Sequence, residues 1–270
     1  MYIYRINFLF LLLVASFNVY ASYYPTSSWE ISSPEDEQVR SDNVDALVNL
    51  AFLDDSTQAV VVIKNGKIIS EKYAEGYDKN SHGTSWSMAK SYYAALIGIS
   101  IDKGEIGSLD DKVAKYLNYF NDERSELTIR DLLDMSSGLD FPPDEHETMF
   151  FQEDHLKYAM GVGVEKDAGL KFEYNNVNSM LLGDILISAT GKKADTLLKE
   201  RILDHIGVTD YKLWKDENGN VLTYCCVDMS ARDYSKIGLL FSRNGNWDGK
   251  QLISKKYIDE TFQVVWYITP

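Results

Sequence analysis

Cysteine is almost missing from this chain: of 270 residues only Cys225 and Cys226 carry sulfhydryl groups, and they are neighbours. Two cysteines cannot form a disulfide framework or a four-ligand zinc site, and a ring closed between neighbours is strained. Both are therefore expected to be buried and unpaired. Histidine is nearly as scarce. His82, His146, His155 and His205 show no H-E-x-x-H or similar metal-ligating spacing. The run PPDEHETMFFQEDH offers Glu145, His146, Glu153 and His155 to a cation in principle, but it reads as a solvated acidic loop, and no metal is expected.

Positive charge is also in short supply, with 27 Lys and Arg against 41 Asp and Glu and a formal net charge of -14. A nucleic-acid partner is excluded on that ground, because neutralising phosphates requires a basic face. An acidic surface mainly keeps a protein soluble. The G-x-S-x-G elbow of α/β-hydrolases is missing too, as are internal repeats and low-complexity tracts.

Long apolar runs are confined to the first residues, MYIYRINFLFLLLVASFNVYA, where Arg5 precedes an apolar stretch and Val19 and Ala21 form a small-residue cleavage site. The run is shorter than the roughly 20 residues of a spanning helix, so residues 1–21 are expected to be a cleaved signal peptide. That implies a periplasmic or secreted protein with no stable membrane insertion after cleavage. Residues 22–40 carry Pro25 and Pro34 and read as an extended arm, leaving 41–270 as the domain.

What is present has clear periodicity. SDNVDALVNLAF opens a first helix, and its Ser41-Asp42-Asn43 reads as a helix cap. Two β-rich runs then flank Asn65-Gly66, a strong hairpin signal. The stretch SMAKSYYAALIGISIDKGEI predicts a helix from Ser87 to Lys103, closed by Gly104 and apolar nearly all round, hence buried. Further helices are predicted in NVNSMLLGDILISATGKK, ADTLLKERILDHIG and SARDYSKIGLLFSRNG, with a second hairpin turning at Asn218-Gly219. The pattern predicts an α+β fold: an antiparallel β-sheet flanked by helices plus an all-helical lobe. Fewer strands are countable than such a sheet needs.

Ser87 and Lys90 form an S-x-x-K pair. Residues at i and i+3 share a helix face, and a desolvated lysine can take the proton of a serine hydroxyl. The same helix repeats the pattern at Ser100 and Lys103. Ser87 is preferred because it lies at the positive end of the helix, where N-H groups can stabilise an oxyanion. A Tyr-x-Asn pattern, whose phenol can shuttle a proton, occurs at Tyr116, Tyr119 and Tyr174. The loop position of Tyr174 and Asn176 favours that copy.

Ser87-Met-Ala-Lys90 and Tyr174-Asn-Asn176, 87 residues apart, resemble the serine β-lactamase and penicillin-binding-protein-like superfamily, in particular its class C β-lactamase and 6-aminohexanoate-dimer hydrolase branch. LTIRDLLDMSSGLDF, NSMLLGDILISATGKK and SARDYSKIGLLFSRNGNWDGKQLIS are similar to the same branch. The resemblance implies Ser87 as acylated nucleophile, Lys90 as proton acceptor, Tyr174 as general acid/base and Asn176 as a substrate and lysine contact. The implied reaction is acyl transfer from a small-molecule or short-peptide amide or ester to water, without metal or organic cofactor. The family's third motif, K-T-G or H-x-G on a strand lining the site, is expected to be missing after Tyr174, where Thr190-Gly191-Lys192 has the wrong order and lies at a helix end, and the chain reads as truncated at its C-terminus. A competing expectation is therefore a catalytically impaired remnant that binds ligands or none.

Overall fold

A computed structural model describes residues 23–141 and 145–263; the expected signal peptide and the last seven residues lie outside them. Among the described residues no helix is long and apolar enough to cross a membrane.

The arm is tied down. Ser32 N-H donates to the Ile68 carbonyl, Ile68 N-H donates to the Glu30 carbonyl, and Trp29 is buried. Helix α1 (Ser41–Ala51) follows, but Arg40 occupies its N-cap without a side-chain cap bond and pairs with Asp42 instead. The Ser41-Asp42-Asn43 triplet thus lies in the first turn rather than capping it. Strands β1 (Ala59–Lys64) and β2 (Lys67–Tyr73) form the predicted antiparallel hairpin. Asn65 and Gly66 both take positive φ, 53° and 86°, as such a two-residue turn demands. Val44 and Val48 of α1 cover Ile69 on one face of the hairpin in a small separate core.

The short β3 (His82–Thr84) leads through a 3-10 turn, Trp86–Met88, into α2 (Ala89–Asp102). Nine residues of α2 are buried, among them Tyr92, Tyr93, Leu96 and Ile97, so it is the spine of the main core. Helices α6 (Asn176–Thr190) and α7 (Ala194–Leu198) pack against it, while α3 (Ile129–Leu133) and α5 (His155–Gly161) pack on α6 and α4 (Glu145–Phe150) on α5. Gly98 lets Tyr257 lie against α2, where a Cβ would stand 2.3 Å from the ring.

Strands β4 (Lys212–Leu213) and β5 (Val227–Ser230) join β3 in the order β3-β5-β4. Only an isolated Lys215–Val221 bridge spans the Asn218-Gly219 turn, because β4 pairs with β5 instead of with the residues next after the turn. Helix α8 (Ala231–Ser242) is capped by Ser230, a small hairpin joins β6 (Asn246–Trp247) to β7 (Lys250–Gln251), and α9 (Lys255–Thr261) docks through Tyr257. The fold is mixed helix and sheet, as expected, but its strands form small separate antiparallel sheets.

Two expectations are corrected. Cys225 and Cys226 are buried, but they are paired with each other, with Cys226 in a left-handed backbone conformation, φ 93°. His155 does not sit in a solvated loop either, since it is buried with Nδ1 2.9 Å from the Tyr224 hydroxyl. Among the described residues no cluster of His, Cys, Asp or Glu is arranged to hold a metal ion.

Candidate active site

Ser87 occupies the 3-10 turn at the amino end of α2, exposed, while Lys90 lies one turn on and half-buried. Trp86, immediately before the serine, holds φ 46°, a left-handed conformation that is costly for a bulky side chain and recurs at functional turns. The Lys90 Nζ is 3.0 Å from Ser87 Oγ and donates to the Tyr224 carbonyl at 2.6 Å. Burial without a carboxylate partner lowers the lysine pKa to about 7. A neutral amine is therefore available near neutral pH to accept a hydroxyl proton.

Tyr174 comes from the loop leading into α6, and Asn176 opens that helix. Asn175 caps that helix, its side-chain oxygen accepting from the N-H groups of Val177 and Asn178. The loop rests on residues 135–139: Glu173 N-H donates to the Met135 carbonyl, and Ser137 Oγ donates to Asn178 Oδ1 at 2.7 Å. Gly138 lets the same stretch also approach the 166–167 backbone, for a Cβ there would lie 2.2 Å from the Lys166 carbonyl oxygen. The Tyr174 ring centroid is 4.8 Å from Lys90 Nζ. Ser87, Lys90 and Tyr174 are thus brought together from two distant segments. Asn176 is the first residue of α6, two positions from Tyr174.

The rival copies lie elsewhere. Ser100 is buried and accepts from Arg201, which pairs with Glu105, while Lys103 is exposed at the helix end. Tyr116 and Tyr119 donate to the carboxylates of Asp111 and Asp184. The expectation that no H-x-G triplet follows Tyr174 is corrected: His205-Ile206-Gly207 does, but it follows a π-helical turn and not a strand, with His205 beside Lys250.

Sequence reasoning missed Tyr224. Its carbonyl bonds Lys90, and its hydroxyl is held by His155, whose pKa burial pushes below the ordinary value. No local pattern marks a carbonyl 134 positions away. Beside Trp86 opens a cleft of about 570 Å³ lined in part by Gln58, Tyr77, His82 and Tyr234. A larger cavity of about 1610 Å³, between the arm, the β1–β2 turn and α8, touches none of Ser87, Lys90 and Tyr174, so size does not mark the site here.

A family model described as Beta-lactamase matches residues 53–235, the span holding Ser87, Lys90 and Tyr174. This chain belongs to the Beta-lactamase family. Members of that family are hydrolases, and curated proteins similar to the chain include a D-aminopeptidase and an N-acetylmuramyl-L-alanine amidase. The D-aminopeptidase of Brucella anthropi is 26% identical over 183 residues, covering 58% of this chain and 33% of the relative. The N-acetylmuramyl-L-alanine amidase of Bacillus subtilis is 25% identical over 174 residues, covering 53% and 39%. The match thus spans well under half of these relatives' length. The same fold occurs in "Putative 6-aminohexanoate-dimer hydrolase from Bacillus anthracis", with TM-score 0.74 and 21% identity over 90% of this chain and 68% of that one. It also occurs in FmtA from Staphylococcus aureus, with TM-score 0.64 and 17% identity over 87% and 72%.

Proposed function

We propose that this Beta-lactamase family chain is an exported serine hydrolase that cleaves a small-molecule or short-peptide amide or ester through an acyl-enzyme on Ser87. The observation that carries the reading is the partly buried Lys90 amine, its pKa lowered to about 7, at 3.0 Å from an exposed hydroxyl. Neutral Lys90 takes the Oγ proton as Oγ attacks the carbonyl carbon, and the partial positive charge at the amino end of α2 favours the developing oxyanion. Tyr174, beside Lys90, passes a proton to the departing amine or alcohol. Water then attacks the acyl group, its proton returns by the same residues, and Ser87 is regenerated.

The roles are separated by substitution. Tyr174→Phe is expected to lower steady-state ester hydrolysis about 10²-fold, while Tyr116→Phe and Lys103→Ala stay within about twofold of the parent. Equal losses in all three would mean that the wrong copies had been chosen. Export and cleavage are checked by fractionation and N-terminal sequencing: protein recovered outside the cytoplasm should begin at Ser22, an intact Met1 on it would refute cleavage, and protein confined to the cytoplasm would refute export.

A further inference from the structure

Aromatic rings run from the nucleophile turn back to the base. Trp86, beside Ser87, has a positive φ and is 62% exposed. That ring lies 6.4 Å from Trp214, which lies 6.4 Å from Phe150, and Phe150 lies 6.1 Å from Phe151, itself 80% exposed. From Phe150 the series turns inward through His155 and Tyr224, whose ring is 5.7 Å from Lys90 Nζ. Trp214 is fixed in place: Nε1 donates to Asp228 Oδ2 at 2.9 Å, and Asp228 also accepts from Thr84. Its backbone N-H donates to the Cys226 carbonyl, and its carbonyl accepts from Leu222.

Single exposed apolar side chains need no explanation, but contiguous aromatic surface joined to a reactive serine does. Rigid rings cost little entropy to cover and offer a large apolar face. We infer that Trp86, Trp214, Phe150 and Phe151 form a substrate shelf, and that the favoured substrate carries an aromatic or extended apolar group flanking its scissile ester or amide bond. The inference rests on the acyl-serine reading for its chemistry, while the shelf itself is a binding surface. Trp86 and Phe151 are its accessible ends, Trp214 its anchored middle.

Two fluorophosphonates that share the fluoride leaving group and differ only in an ethyl or octyl chain read the shelf through Ser87 labelling rates by intact mass. The octyl probe is expected to react at least about 10-fold faster, since each buried methylene contributes roughly fourfold when fully covered. Trp86→Ala and Phe151→Ala each lower the octyl-to-ethyl ratio about threefold or more. Phe151, remote in sequence from the nucleophile turn, guards against a local disturbance at Trp86. Equal rates in the parent, or a ratio unchanged in both variants, overturns the shelf. A second readout does not need the serine: in Ser87→Ala, energy transfer from tryptophan to the neutral apolar dye N-phenyl-1-naphthylamine is expected and should fall on adding Phe151→Ala. Transfer without labelling of the parent by either probe would leave the shelf standing and reject the acyl-serine reading. Absence of transfer rejects the shelf.

Discussion

Replacing Lys90 with methionine is expected to slow acylation of Ser87 about 10³-fold, the scale of a lost general base, and at the same time to stabilise the protein near neutral pH. The amine is partly buried against the Tyr174 and Tyr224 rings with no carboxylate partner, so its charged form is disfavoured in the fold. Folded Lys90 has a pKa of about 7 against an ordinary 10.5. Between those values the unfolded chain binds the extra proton, so stability rises with pH across this window by about 1.4 kcal/mol per unit, and the penalty is fully present below 7. Methionine removes the penalty but leaves the Tyr224 carbonyl without its donor, which offsets about 1–3 kcal/mol. Urea unfolding at pH 6.5 and 9.5 checks the sign: the advantage of Lys90→Met over the parent should shrink as pH rises. A variant that acylates at the parental rate would remove Lys90 from the chemistry.

The second large effect is the pH profile of acylation itself. Only the neutral amine can accept the Ser87 proton, so the rate should be level above about pH 8, half-maximal near the lysine pKa of about 7, and fall roughly tenfold per unit below it. At pH 5 the parent should run about 100-fold below its plateau, with little further loss in the already slow Lys90→Met. Single-turnover labelling across pH 5–9 measures this without interference from deacylation. A profile flat to pH 5 would mean that the amine is not the titrating group.

How much of this was legible in the sequence follows from which forces are local. Asn65-Gly66 required its turn, the unbroken apolar circumference of α2 required burial, and both are present. The S-x-x-K spacing was ambiguous, because Ser100 and Lys103 repeat it. Their separation comes from Arg201, a residue that the spacing cannot see. Likewise β4 pairs with β5 rather than with the residues just after the turn, a choice that no periodicity encodes, so the expected hairpin at Asn218-Gly219 shrank to one bridge. The Tyr224 carbonyl, the His155 contact behind it and the strained Trp86 turn are also long-range products of packing. Asp154 and Asp216 draw the chain inward at His155: Asp154 caps α5, and Asp216 accepts the His155 N-H at 3.0 Å. An acidic run that looked solvated therefore delivers a buried histidine next to the site.

The central claim, that Ser87 is the acylated nucleophile, is tested most directly by intact and peptide mass spectrometry after incubation with a fluorophosphonate and with a fluorescent penicillin. The account predicts one stoichiometric adduct from at least the fluorophosphonate, mapped to the peptide holding Ser87 and lost in Ser87→Ala while Ser100→Ala retains it. No adduct with either reagent on folded protein, or an adduct that survives Ser87→Ala, would contradict it.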